Sequence, residues 1–358
     1  MEPLKEMFNS TFIKELASLI KKNYPSFDSD KFIFSIENST FFELSLNQRM
    51  RKITETLRLF MPDKYSKTID VFKNTISLMK PGYTTVIFPD YIGLYGLSDF
   101  NYSLDALKFF TSFGTSEFAI RLFLKKDVHA TLNVMKKWSH DKNVHVRRLA
   151  SEGSRPRLPW SFKLDDVIEN PFLTEPILNV LQSDKELYVK KSVANHLNDI
   201  TKDNTGAFFN VIKNWDLKNE NTKWIIKHAG RNLIKKGDSK MLSIIGVNTS
   251  AKISNLNYVL KNNNIKIGDL LIFNCSFVSD ADQKIVIDYS IFYLKQKGIH
   301  SKKTFKLKMV QAQKGELIQV SKKQWMKNFS TRKLNPGVHY VELLINGITY
   351  SKISFNLH

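Results

Sequence analysis

Cysteine is nearly absent: Cys275 stands alone in 358 residues. A single thiol closes no intrachain disulfide and supplies no cysteine-ligated zinc ribbon, which excludes a cystine-stapled secreted scaffold and fits a reducing compartment. Long apolar runs are missing as well. No 18-residue apolar stretch exists, and residues 1–27 have the spacing of an amphipathic helix without the continuous core of a signal peptide, so a cytoplasmic protein with no membrane association is expected. There is no G-x-x-x-x-G-K-[ST] loop, no G-x-G-x-x-G opening a helix, no H-E-x-x-H and no C-x-x-C. Nucleotide hydrolysis, dinucleotide redox chemistry and zinc hydrolysis thus lose their usual signatures, and neither a nucleotide cofactor nor any other is expected. The eight histidines offer no ligand pair at i, i+4, since His140 and His145 miss that spacing, and no metal site is expected.

Acidic side chains are also scarce, 34 against 54 basic ones, for a net charge of +20. That bias calls for an acidic partner, and phosphate neutralisation with counterion release suits it. The charge is uneven. Residues 248–358 hold 17 basic and 6 acidic side chains, a net +11, against +9 over residues 1–247, with lysines such as Lys302, Lys303, Lys306, Lys308, Lys322, Lys323 and Lys327 spread through the last third. A composition 42% hydrophobic and 12% aromatic supplies cores for two or three domains and rules out disorder.

Two architectures share the chain. Residues 1–246 are helical in pattern, with apolar positions recurring at three and four and breaks every few turns, as in Leu104–Phe110 and Phe118–Leu124. Ser183-Asp184-Lys185-Glu186 has the form of a capping box that opens a helix. Weak repeats follow: Asp141-Lys142 with Val146-Arg147-Arg148 returns as Asp184-Lys185 with Val189-Lys190-Lys191, and then as Ile226-Lys227-His228. A period near 40 with two helices per repeat is that of HEAT-like repeats. It aligns Arg148, Lys191 and His228, and one turn later Glu152, Asn195 and Asn232, as two polar rows on one surface. Lys223, Lys227, Arg231 and Lys235 add a basic stripe at i, i+4.

Residues 247–358 change to a period of two. Ile265–Ser279, Lys284–Leu294, Thr304–Gln311 and Val338–Ile345 read as strands of a small all-β domain. Leu334-Asn335-Pro336-Gly337 before His339-Tyr340, with an Asn346-Gly347 hairpin turn, resembles the tyrosine-corner end of an immunoglobulin-like sandwich. The fold class expected is therefore mainly α, a HEAT-like α-α superhelix followed by that sandwich, the latter a DNA-contacting domain.

Residues 150–160, Ala-Ser-Glu-Gly-Ser-Arg-Pro-Arg-Leu-Pro-Trp, are too rich in small, charged and proline residues for a packed helix. Arg148, Glu152 and Arg155 fall at i, i+4, i+7, and Pro156 and Pro159 stiffen the exit and aim Trp160. A carboxylate between two guanidinium groups stays ionised, and arginines are good phosphate forks. Trp138, Trp215, Trp224 and Trp325 read as core or rim, and Cys275 as buried and inert.

The segment Ser151–Trp160 closely resembles the signature of the AlkC branch of the DNA alkylation-repair glycosylases, relatives of the AlkD HEAT-repeat glycosylases. Ser116–Arg121, placed in an upstream helix, and Ser192–Asp199 support the resemblance, which covers residues 44–246. It implies a monofunctional DNA glycosylase acting, as a monomer, on double-stranded DNA that contains cationic alkylated bases: 3-methyladenine, 3-methylcytosine and 1-methyladenine. It also implies carboxylates at Glu117 and Glu152, a polar side chain at Asp199, the aromatic contact at Trp160, and backbone-binding Arg148 and Arg155. Arg157, Lys190, Lys191, Lys223, Lys227 and Arg231 complete the expected DNA-binding set. Residue chemistry agrees: N-glycosidic hydrolysis passes through an oxocarbenium-like sugar that a carboxylate stabilises, and a cationic base leaves neutral without a strong acid. The competing expectation is a non-catalytic HEAT-repeat protein that binds unusual DNA structures.

Overall fold

The computed structural model describes residues 3–37, 39–329 and 332–358. Two compact units divide it, Met1–Ala229 and Gly230–His358.

The first unit is helical. Asn9, Asp28, Asp127, Asn143 and Asn204 each accept a backbone N–H of the turn that follows, satisfying donors that a helix start leaves open. Apolar residues at three and four then bury one face, as Met50, Ile53 and Leu57 do in the helix Leu46–Phe60. The helix Val144–Gly153 packs on Leu187–Asp203, which packs on Glu220–Ala229, so successive HEAT-like repeats present corresponding helices side by side. A capping box forms at Ser45 and Gln48. The one expected at Ser183 does not: Asp184 accepts Arg147 Nε at 2.7 Å and Glu186 N at 2.9 Å, and the helix opens only at Leu187. Asp184, held by Arg147, supplies the bond to Glu186 N, and Glu186 stands at the N-cap with no capping bond from its own side chain.

Helices end at Ile244 and strands begin at Ile253. The compact units divide earlier, and the helices Arg231–Lys236 and Ser239–Ile244 go with the strands. Gly237, left-handed at φ 73°, ends the first of them, and a Cβ there would lie 2.7 Å from Cα of Gly347. The strands are β1 (Ile253–Leu260), β2 (Asn264–Ile265), β3 (Leu270–Ser279), β4 (Gln283–Leu294), β5 (His300–Ala312), β6 (Leu317–Trp325), β7 (Gly337–Ile345) and β8 (Ile348–Leu357). They form two sheets, β1-β3-β6 and β2-β8-β7-β4-β5, antiparallel except for β2 beside β8. Phe273, Phe277, Tyr289, Ile291, Leu343 and Phe355 fill the immunoglobulin-like core between them. Asn346 (φ 49°) and Gly347 (φ 80°) make the β7–β8 turn with the positive φ values that such a two-residue hairpin needs.

The corner before β7 is closed by His339, not by Tyr340. Alternation along β7 turns His339 inward with Val341 and Leu343, and its Nε2 donates to Asn335 O at 2.9 Å while Nδ1 accepts from Leu294 N at 3.3 Å. Tyr340 points outward instead, under the Lys352 ammonium.

Candidate active site

Six charged side chains alternate in sign along one line of contact. Arg148, on the helix Val144–Gly153, donates through Nη1 to Glu117 Oε2 and to Thr115 Oγ1 (3.1 Å), and its Nη2 lies 3.7 Å from Glu152 Oε1. Arg155 Nη1 donates to the same Glu152 oxygen at 2.6 Å, and its Nε donates to Asp199 Oδ2 at 2.8 Å. Lys202 closes the line on Asp199 Oδ1 at 2.8 Å. All three carboxylates are buried. An isolated buried charge is strongly unfavourable, and the alternation leaves none of these without an opposite neighbour. The row thus holds Glu117, Glu152 and Asp199 in fixed positions.

Glu117 lies in the turn that precedes the helix Ile120–Lys126, not in a helix. Ser116 Oγ is bonded to Leu107 O at 2.7 Å, and Thr115 Oγ1 donates to Glu117 Oε2 at 2.8 Å, so local polar bonds shape this turn. Arg155, likewise, is beyond the end of its helix and reaches Glu152 by chain reversal.

The reversal is anchored by Arg121. Its guanidinium is fully buried, and its Nη atoms donate to the carbonyls of Gly153 (3.1 Å), Arg155 (2.6 Å) and Phe162. Burial, with Arg155 close by, pushes its pKa down to about 10. Gly153 permits this approach, because a Cβ there would fall 2.5 Å from Ile120 Cγ2. Trp160 sits near the far end of the loop at φ 64°, a left-handed conformation unusual for a bulky residue. Its side chain is 67% exposed and borders a cleft of about 450 Å³ shared with Arg51, Tyr83, Phe118 and Phe162.

His196 supports the same elements from behind. It is fully buried one helical turn before Asp199, with Nδ1 donating at 3.0 Å to the carbonyl of Ser151, the residue before Glu152, and Nε2 accepting from Thr174 Oγ1 at 3.1 Å. Burial lowers its pKa to about 4, so the ring is neutral.

The structure thus brings Glu117, Glu152, Asp199, Arg148 and Arg155 into one network with Trp160 near the exit of its loop. The expected phosphate forks Arg148 and Arg155 are engaged with these carboxylates, their side chains only 14% and 9% exposed. Arg157 makes two bonds to Asp203, at 2.7 and 2.5 Å, on the surface. Lys190 donates to Asn221 at 2.8 Å and lies over Trp224; Lys191 is exposed; Lys223 pairs with Glu220 at 2.6 Å. The stripe from Lys223 to Lys235 is not one helix. Lys223 and Lys227 belong to Glu220–Ala229, Gly230 interrupts it, and Arg231 and Lys235 belong to the next helix in the second unit. Trp138 and Trp215 are buried, whereas Trp325 is exposed.

Arg121, His196 and Thr115 are the contributors that sequence reasoning missed. One signal was present for Arg121: a cation among the buried positions Ile120, Phe123 and Leu124. Among the described residues no group of three His, Cys, Asp or Glu side chains could hold a metal ion, and no helix is long and apolar enough to cross a membrane.

Residues 255–358 match the family model for the C-terminal Ig-like domain of the uncharacterised protein YhaZ. The uncharacterized protein YhaZ of Bacillus subtilis (strain 168) is 37% identical over the full length of both chains. Over all of both chains, the structure is similar to that of the Pseudomonas fluorescens alkylpurine DNA glycosylase AlkC bound to DNA containing an abasic site analog, with a TM-score of 0.94 and 41% identity.

Proposed function

The chain belongs to the AlkC family, and from that premise we propose that it is a monofunctional DNA glycosylase that hydrolyses the N-glycosidic bond of cationic alkylated bases in duplex DNA. The observation that carries this reading is the buried row Glu117–Arg148–Glu152–Arg155–Asp199, beside a loop that exposes Trp160. Water adds to C1′ as the C1′–N bond breaks, its proton passes to a carboxylate and then to solvent, and the bond's electron pair leaves with the base. The departing base thereby becomes neutral, which explains why no histidine or lysine acid is needed. Glu117 and Glu152 supply the fixed negative charge opposite the oxocarbenium-like sugar, and no reorganisation is required because the guanidinium groups already hold them. The π face of Trp160 favours a cationic lesion over a neutral base. The lesion class comprises 3-methyladenine, 3-methylcytosine and 1-methyladenine.

In this reading Arg148 and Arg155 position carboxylates, and phosphate contacts fall to surface groups: Lys191, Lys227, Arg157, Lys190 and Lys223, with Arg231 and the lysines of residues 248–358 as a second DNA-binding surface. Incubating the protein with alkylated duplex DNA and measuring free methylated base tests the proposal. Release by the wild-type chain, lost in Glu152→Gln, is the expected result. Duplex binding without release would favour the non-catalytic alternative.

A further inference from the structure

The strongest uncompensated charge lies far along the chain from the carboxylate row. Between Glu316 and Glu342 there are five cations, Lys322, Lys323, Lys327, Arg332 and Lys333, and no acid. None of the five takes part in a salt bridge among the described residues. Two large rings are exposed in the same stretch, Trp325 at 51% and Phe329 at 43%.

The backbone around them is firmly held. Gln324 accepts a bond from Tyr289 OH at 2.7 Å, and the fully buried Met326 donates through N to Asp269 O and accepts at O from Gly268 N, at 2.9 and 2.8 Å. Anchors on both sides leave Trp325 pointing away from the core. Phe329 and Arg332 exchange N–H···O bonds at 2.9 and 3.0 Å, Asn328 Oδ1 accepts Leu334 N at 2.8 Å, and the Arg332 guanidinium lies 4.2 Å from the Tyr293 ring centre. The Lys327 ammonium stands 5.7 Å from the Trp325 ring centre and 5.6 Å from that of Phe329. Two aromatic faces thus flank one cation on a hydrogen-bonded backbone.

We propose that the Trp325–Phe329 segment binds unpaired nucleotides, with Lys327 and its neighbouring cations neutralising the backbone while the Trp325 and Phe329 rings stack on bases that have left the helix. The proposal rests on the reading of the chain as a DNA-acting protein and specifies what its second unit recognises. Cations alone would serve an intact duplex, whose base faces are covered by their neighbours. Exposed rings under a lysine add something only where a base face is free, and stacking of this kind carries about 1–3 kcal/mol per base, or roughly 5- to 150-fold in affinity. The absence of any acid across the stretch disfavours a protein partner recognised through an apolar patch with mixed charge.

The experiment uses the full chain and fluorescence anisotropy with three probes: an undamaged duplex, the same duplex interrupted by a short single-stranded gap, and vesicles of phosphatidylserine and phosphatidylcholine. Wild type is expected to prefer the gapped probe. Trp325→Leu and Phe329→Leu, which keep apolar bulk without a ring face, should each weaken gapped binding by about tenfold, leave duplex affinity and base release from duplex unchanged, and be contrasted with Trp325→Phe, which should stay near wild type. Equal losses on both DNA probes, no loss on either, or failure of Trp325→Phe to retain the preference would overturn the stacking assignment. Vesicle binding removed by the leucine variants while gapped binding persists would overturn it in favour of an anionic lipid surface. Absence of base release by wild type would instead defeat the glycosylase reading, and the probe comparison would still report on this segment.

Discussion

The helical unit and the strand unit handle charge in opposite ways. In the first, three cations, Arg155 buried, Arg148 half-buried and Lys202 exposed, face three buried carboxylates one for one and fix the geometry of a site. In the second, the lysines of β5 and of the stretch after β6 are mostly exposed, and the net charge of residues 248–358 reaches +11. A single figure of +20 therefore conceals two uses of positive charge. One pairs with acids inside the protein, and the other, apart from Lys302 on the buried Glu342, is turned to solvent, where on the proposed function it meets the acids of a partner.

The sharpest way to break that contrast is to remove an acid from the ordered row. Glu152→Gln and Glu117→Gln should each lower single-turnover base release by about 10²–10³-fold, the usual effect of losing one preorganised electrostatic group, with duplex affinity near wild type. Equal losses of affinity and release would place these acids among the binding groups instead.

Removing the attracting unit comes next. A chain ending at Ala229 should melt cooperatively and bind duplex about tenfold more weakly at moderate salt, since two tethered weak surfaces gain from effective concentration. A chain ending at Gly246 should be less soluble, because the helices Arg231–Lys236 and Ser239–Ile244 lose the strands they group with. Titrations at several salt concentrations distinguish the two truncated chains from the full one. Undiminished affinity of the shorter chain would remove the second unit from DNA binding.

A smaller effect separates ordering cations from attracting ones within the helical unit. Lys191→Gln should weaken lesion and undamaged duplex alike, by a few-fold, and reduce the salt slope by about one, as a phosphate contact does. Selective loss of lesion preference would mean that Lys191 reads the base.

The smallest contrast is in acid. His196, lowered from 6.5 to about 4, refuses a proton that the unfolded chain accepts, so its contribution is present above pH 6.5 and falls as pH drops toward 4, by at most about 1.4 kcal/mol per pH unit. Asp288 runs the other way. Burial raises it from 3.8 to about 6, so its stabilising contribution is full below 3.8 and is lost as pH rises through 6. Hydrogen exchange of peptides from each unit between pH 4 and 6.5, corrected for intrinsic rates, should show opposite slopes, flattened by His196→Gln in the helical unit and by Asp288→Asn in the strand unit.

What could be read from residues alone follows from how local each feature is. Arg148 and Glu152 share a helix face at i, i+4, and the Asn346-Gly347 turn demands positive φ, so both were legible. Glu117 meets Arg148 across 31 positions, and Arg121 grips three carbonyls that converge only when the 153–162 loop is folded. No spacing announces such convergence. β1, β6 and β8 escaped for related reasons: Asn255 at φ 53° breaks the alternation of β1, Lys322 and Lys323 sit side by side in β6, and β8 alternates with little apolar contrast. His339 took the place of Tyr340 because one step along a strand reverses the face.

The meeting of Gly237 with Gly347 has a consequence for inheritance. Main chain touches main chain there, leaving no room for a side chain on the helix end, while Asn346 Nδ2 donates to Asn248 O at 2.6 Å nearby. Recombination that exchanged residues 247–358 alone would separate a hairpin from the glycine to which it is fitted. An exchange beginning at Gly230 would carry both halves of the joint, so the segment that can be exchanged intact is longer than the segment made of strands.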